Sequence, residues 1–305
     1  MKNVLFIGEI NVDIMMGGLE SFPVRDREII CSSFEITMGS STAICACAYA
    51  SLGGSASFMG LAGNDDYGDF MVKGLNEFGI NTDLVRRTGS VKTGITLNLI
   101  YESTRTQVTY SGTIAEFSGD CIDFDALKGF DHIHIASPYL QKGFLDDVTA
   151  VLTFAHNENI TTSLDPQWCS GESWTHLDEW LPLADYFFPN RDEALSLTKT
   201  SDPVRACAEL ARRTACPVVK AGNMGALIFL DGTVRTIPAF TVDIVDTTGA
   251  GDSFDAGFLY AVLEKGIGRD QAATFANAVA ARSCRFIGGV NARSSFDDIQ
   301  RFMGE

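Results

Sequence analysis

Residues Val4-Leu5-Phe6-Ile7 are four apolar side chains in a row, closed by Gly8 and followed at once by Glu9. Side chains alternate faces along a strand, so four consecutive apolar residues do not suit a sheet with one wet face. The run predicts a strand covered on both sides, as in a parallel sheet with helices above and below. Later segments repeat that rhythm. Ala56 to Gly60, His132 to Ala136, Thr161 to Leu164, Tyr186 to Phe188, Val218 to Lys220 and Leu227 to Leu230 have strand character. Between and after them, helices are expected at Thr42 to Leu52, stopped by Gly53-Gly54, at Tyr67 to Phe78, closed by Gly79, and at Phe144 to Asn157. Gly251 to Glu264 and Asp270 to Cys284 complete the set. No repeat, low-complexity tract or linker interrupts them, so one α/β domain over residues 1–305 is the economical architecture.

Two segments break the rhythm. Met15 to Glu35 is mixed polar and β-branched, and suits an excursion away from the main sheet. Thr93 to Tyr101 and Thr106 to Tyr110 alternate with a period of two and are joined by Glu102 to Arg105, which predicts a hairpin.

Charge narrows the function. Lys plus Arg is 23 and Asp plus Glu is 39, a balance of 23 − 39 = −16. Nucleic-acid and anionic-membrane binders need a positive field, so neither partner is expected. The opening apolar stretch is too short for a secretory signal, and no stretch reaches membrane-spanning length. The eight cysteines have no metal or disulfide spacing: Cys45 and Cys47 are two apart and the others are scattered. Reduced, mostly buried thiols and a cytoplasmic location are expected. His132 and His134 alternate on one strand face without a third ligand nearby, and are expected to be packed core residues.

No G-x-x-x-x-G-K-[ST] is present, and Gly8-Glu9-Ile10-Asn11 stands where a G-x-G-x-x-G would follow the first strand. The informative run is Asp246-Thr247-Thr248-Gly249-Ala250-Gly251-Asp252-Ser253-Phe254, small residues leading into an amphipathic helix. Gly249, Ala250 and Gly251 let backbone N–H groups face outward at a helix start, where the dipole favours an anion such as a transferring phosphoryl group. Asp252 beside them either accepts the proton of an attacking hydroxyl or simply caps the helix.

This run, with Gly257 after it, closely resembles the C-terminal motif of the ribokinase-like, or PfkB, carbohydrate kinases. Asn11-Val12-Asp13, Gly39-Ser40, Gly60 to Gly68, Pro189-Asn190-Arg191-Asp192-Glu193-Ala194 and Lys220 to Gly225 are similar to other family elements in the same order. The resemblance implies a three-layer α/β sandwich with a mostly parallel central sheet and a small β lid formed by roughly 13–38 and 93–113. It implies Asp252 as catalytic base and Gly249, Ala250 and Gly251 as the anion hole. Asn190 and Glu193 would organise Mg²⁺ through water, or form a capping box with no ligand. Lys220, Gly222, Gly225 and Asn277 would lie along ATP, with Lys220 alternatively a solvated strand-edge residue. Asp246 and Thr248 would hold a monovalent cation such as K⁺. Asn11, Asp13, Gly39, Ser40 and Arg105 would meet the sugar, since a carboxylate and an amide together can hold a vicinal diol.

The sequence also departs from the family pattern. Ile44 stands where the helix often carries an Asn, and Asp165-Pro166-Gln167-Trp168-Cys169 replaces Asp-x-Asn-x-Arg. The missing arginine argues against a sugar acid. A lid poor in clustered cations argues against a phosphorylated sugar. The expected activity is ATP-dependent phosphorylation of a hydroxyl on a small unphosphorylated carbohydrate. The rivals are a nucleoside kinase, favoured if Phe22, Phe34 and Tyr110 make a base-binding shelf, and a catalytically silent sugar-binding regulator. A homodimer through the lid is expected, because an exposed hairpin edge invites pairing.

Overall fold

A computed structural model describes every residue except Glu102, Ser103, Ser170, Glu172 and Glu305. With strands numbered in chain order, the central sheet runs β10 (Tyr186–Phe187), β9 (Thr161–Asp165), β8 (His132–Ala136), β1 (Asn3–Ile7), β4 (Ser55–Gly63), β5 (Asn81–Thr88). Every pairing within it is parallel. The opening run sits in the middle and divides as alternation requires. Val4 and Phe6 enter one core with the helices Ser41–Ser51, Ala250–Leu263 and Arg269–Ser283; Leu5 and Ile7 enter the other with the helix Val148–Asn157. These are the three layers of the expected sandwich.

A second sheet, β11 (Val218–Lys220), β12 (Ala226–Leu230) and β13 (Thr233–Ile237), is antiparallel. Parallel bridges Phe187↔Pro217 and Asn190↔Lys220 attach it beside β10. The third sheet is the lid, in the order β3 (Ser33–Met38), β2 (Asn11–Gly17), β6 (Gly94–Tyr101), β7 (Thr104–Tyr110). Part of its expected turn, Glu102 and Ser103, lies outside the described residues. Asp65 ties the lid to the body: it caps the helix Asp66–Glu77 through Gly68 N and also accepts from Thr93 N and Thr93 Oγ1, at 2.7–2.9 Å.

His132 and His134 are buried on the face of β8 opposite Ile133 and Ile135 and share the Ser163 hydroxyl at 2.8 Å each. Burial holds both below their usual range, at about 3 and about 4. They are core residues, and the described residues contain no cluster of three or more metal-ligating side chains. All eight cysteines are free, and no described helix is long and apolar enough to cross a membrane.

Candidate active site

The candidate residues gather outside the carboxyl ends of the strands, where open α/β sheets bind ligands. Glu9 follows β1, Asp165 ends β9, Asn190 follows β10 and Lys220 ends β11. The 250–263 helix starts among them.

That helix begins without a side-chain cap. Its N-cap is Gly249, in the left-handed region at φ 72°. A Cβ there would lie 2.8 Å from Gly289 Cα and from Ile44 Cγ2, so glycine is required twice over. Ile44, the residue that departs from the family pattern, thus forms the floor of the turn. Ala250 N–H is bonded to Thr247 O at 3.2 Å, and Ser253 N–H is the next to find a backbone acceptor, on Gly249 O at 2.8 Å. Among the described residues, no protein acceptor is recorded for the N–H groups of Gly249 and Gly251.

Asp252 stands at the third helical position and is 6% exposed, so it does not cap the helix. Burial first, then the charge of Asp165, raises its pKa to about 8, against the opposing pull of Lys220. Its carboxylate takes a hydrogen bond from Gln167 Nε2 at 3.1 Å, and the neighbouring Ser41 side chain favours its charged form.

Lys220 is neither a solvated strand-edge residue nor free to reach outward. Its Nζ is held by Asp165 Oδ2 at 2.7 Å and Asp255 Oδ2 at 3.0 Å, with both carboxylates buried. Burial alone would raise Asp165, but Lys220 and the surrounding hydrogen bonds reverse this and keep it charged. Burial drives Asp255 well above the usual carboxylate range. Its Oδ1 is buried without a hydrogen-bond partner among the described residues, which fits a protonated carboxyl beside the charged Asp165.

Asn190 and Glu193 form a reciprocal capping box at the 191–198 helix. Glu193 N donates to Asn190 Oδ1 at 2.9 Å, and Asn190 N donates to Glu193 Oε2 at 2.8 Å. Glu193 is buried, which together with the Asp165 charge raises its pKa to about 7. Each of its oxygens still has a lone pair beyond the one given to Asn190, enough to accept a metal-bound water.

Gly225 (φ 91°) and Asn277 meet at one place. A Cβ on Gly225 would strike Ile237 O and Ala239 N, while Asn277 Nδ2 donates to Ile237 O and Pro238 O at 3.0 and 3.1 Å. Gly222 (φ 58°) has nothing within 4 Å of its Cβ direction.

On the sugar side, Asn11 and Asp13 are strand residues two apart on one face, not an Asx turn, and Asn11 Nδ2 lies 3.2 Å from Asp13 Oδ1. A Cβ on Gly39 would sit 2.4 Å from each. Ser40 caps the 41–51 helix and donates to Glu9 O at 2.6 Å. Burial raises Asp13 to about 6, and the nearby Arg105 charge opposes this. Arg105 itself reaches from β7 to Thr248 Oγ1 at 2.6 Å and so brings the lid onto the anion-hole loop. Asp246 has no idle oxygen: Oδ1 accepts from Thr248 N and Oγ1, and Oδ2 accepts from Gly288 N.

Four residues of the crevice were not among the expected site residues: Glu9, Asp165, Gln167 and Asp255. Asp255 alone left a local signal, an acid one residue after Phe254 on a face that otherwise turns inward.

Comparison with known proteins agrees over the full length. The pfkB family carbohydrate kinase profile matches residues 1–294. An ATP-dependent ribose-1-phosphate kinase of Halopiger xanaduensis is 29% identical, with 100% of this chain and 99% of that one covered. A Bacillus subtilis ribokinase is 27% identical over 98% and 99% of the two chains. The structure of Arabidopsis thaliana ribokinase complexed with ribose and ATP superposes with a TM-score of 0.87 at 21% identity, covering 100% and 99%.

Proposed function

The chain belongs to the pfkB family of carbohydrate kinases, and from that premise we propose how its crevice selects and phosphorylates an acceptor. It is an ATP-dependent sugar kinase. The acceptor we assign is a small unphosphorylated carbohydrate, held by Asn11 and Asp13 over Gly39, with Ser40 shaping the turn behind them.

The observation that carries this assignment is the division of the lid into two faces. Strand pairing puts Asp13, Thr96 and Thr109 in one row and Asn98 with Gln107 in the next, all facing inward. The other face is apolar: Phe34 pairs with Met16, Ile36 with Ile14 and Tyr110 with Ile95. Tyr101 shares that outer parity, and Phe22 packs on it at 5.6 Å. The aromatic residues that would make a base shelf therefore point away from the crevice, which favours a sugar over a nucleoside. One cation, Arg105, stands on the inner strand face, and it is bonded to Thr248. A relative named for a phosphorylated acceptor would want more positive charge there.

In the reaction, Asp252 takes the proton of the attacking hydroxyl while its oxygen bonds to the γ-phosphorus and the bond to ADP breaks. The free N–H groups of Gly249 and Gly251 face the transferring group, with Ala250 fixing the turn between them. Gly222, Gly225 and Asn277 shape the wall for ATP. Asn190 and Glu193 would hold Mg²⁺ through water, and the metal supplies charge neutralisation of the phosphates. Lys220 acts through Asp165 and Asp255 and not on phosphate directly.

Free thiols fit a cytoplasmic setting. The exposed outer residues Phe34, Ile36, Val108 and Tyr110 fit a homodimer through the lid, which light scattering at micromolar protein tests; a monomer mass there removes it.

The deciding experiment is a panel of sugars and nucleosides scored by ADP release. Release with an unphosphorylated sugar is expected. Preference for a nucleoside overturns the acceptor assignment, and tight sugar binding without ADP points to a silent regulator.

A further inference from the structure

Gln167 lies in the loop after β9, in the left-handed region at φ 52°, a conformation that costs energy for a residue with a side chain. Its backbone N–H donates to Asp165 Oδ1 at 3.1 Å. Its amide nitrogen then donates in two directions, to Asp165 Oδ2 at 3.0 Å and to Asp252 Oδ1 at 3.1 Å. Asp165 stays ionised and can only accept, so the amide orientation is fixed by chemistry: the NH₂ must face it, because the amide oxygen has no hydrogen to offer.

We propose that Gln167 is the positioning residue of the phosphoryl-transfer reaction, bridging the fixed Asp165 to the base Asp252 and setting the rotation of that carboxylate. The inference rests on the reading of Asp252 as the base. The bridge is anchored from below, since Asp165 is itself clamped by Lys220. Ser41 also favours the charged form of Asp252, and its backbone N–H is bonded to Glu9 Oε1 at 2.8 Å.

The charged groups around Asp252 make those neighbours important. Glu9 after β1, Asp165 on β9 and Asp255 on the same helix are acids, and Lys220 on β11 is the cation that opposes them. In such surroundings a carboxylate resists ionising, and a donor directed at it favours the charged form that can accept a proton. Gln167 therefore also lowers the pH at which the base becomes available.

The test is the pH profile of kcat/KM for wild type, Gln167→Met, Gln167→Glu and Gln167→Asn, with Asp252→Asn alongside. Met keeps the length but cannot donate, so the acidic limb should move up by about one pH unit, and the plateau should fall because the carboxylate loses the contact that sets its rotation. Glu adds a third carboxylate and should move the limb further. Asn has a donor on a stem one carbon too short to span both acids and should fall between wild type and Met. A merely structural role would lower the melting temperature or the rate at every pH and leave the limb in place. Limbs unmoved in all three Gln167 variants, with Asp252→Asn inactive, overturn the role of Gln167 alone. Asp252→Asn active within a few-fold of wild type overturns the base, and the positioning role with it.

Discussion

The helices 191–198 and 250–263 both start at this crevice, and they start in opposite ways. At the first, Asn190 and Glu193 satisfy each other's backbone N–H groups, so the helix closes its own end. At the second, a left-handed glycine replaces the capping side chain, and the nearest acid, Asp252, bonds to Gln167 and not to its own helix. A helix start always carries unsatisfied donors. Where the chain supplies its own acceptor it gains stability; where it withholds one, those donors remain for an anion. The contrast separates a terminus closed by its own side chains from one left open, which on the proposed function is the one that receives phosphate.

The largest expected effect is at Asp252. Asp252→Asn keeps size and removes proton acceptance, so turnover should drop by roughly 10²–10⁴ while ATP binding persists. Because Gly249 and not Asp252 caps the helix, the melting temperature should stay level or rise, a buried acid having been made neutral. An equal turnover in wild type and variant would defeat the division between the two helix starts. The sign of the pH dependence follows from the same burial. With the Asp252 pKa raised to about 8, the free enzyme loses its base as pH falls, so kcat/KM should decline below about pH 8.

Gly249→Ala comes next. It forces a side chain into a left-handed backbone, a cost of about 1–2 kcal/mol, and against Gly289 and Ile44 as well. The turn must shift, and a displacement of the anion hole should lower turnover by up to about 10²-fold. A variant that melts early but turns over normally would mean the bare N-terminus is not used.

Asn190→Ala should act mainly on stability, by about 1 kcal/mol, the usual value of an N-cap. The Mg²⁺ concentration giving half-maximal rate should rise too, because Glu193 loses the partner that orients it. Stability loss with an unchanged Mg²⁺ requirement would reduce the pair to a cap.

These differences were unevenly legible in the sequence. The apolar run at Val4 to Ile7 announced a strand buried on both faces, because burial there follows from local alternation. The glycines at 249 to 251 announced a backbone that approaches something closely. β13 and the helix Pro203–Leu210 left weaker local marks, since Thr233–Ile237 mixes charge with β-branched residues and is mostly exposed. The bridge from Gln167 to Asp252 spans 85 residues, and the clamp from Lys220 to Asp165 spans 55. No periodicity records such pairs; only the fold brings the buried acids Asp165, Glu193, Asp252 and Asp255 around Lys220. The lid faces fall between these cases. Alternation was visible in the two hairpin strands β6 and β7 and not in β2 or β3, and which face met the crevice depended on Arg105 reaching Thr248.

The smallest expected effect concerns the loop before Gly249, where the family resemblance implies a monovalent cation at Asp246 and Thr248. Such an ion gathers several oxygens and competes with any cation already placed among them. Here both Asp246 oxygens accept hydrogen bonds from Thr248 and Gly288, and the Thr248 hydroxyl lies between Asp246 and the Arg105 guanidinium. The arginine already supplies a fixed positive charge at this loop and helps hold Asp246 below its usual range, against burial. The 191–198 helix needs no such help, being closed by its own glutamate. Turnover should therefore be the same in potassium, sodium or tetramethylammonium salts at constant ionic strength. Arg105→Ala should turn over more slowly and become responsive to potassium, since it frees the Thr248 oxygen and removes the competing charge. A wild-type rate that rises several-fold with potassium would show that the ion and not the arginine completes the loop.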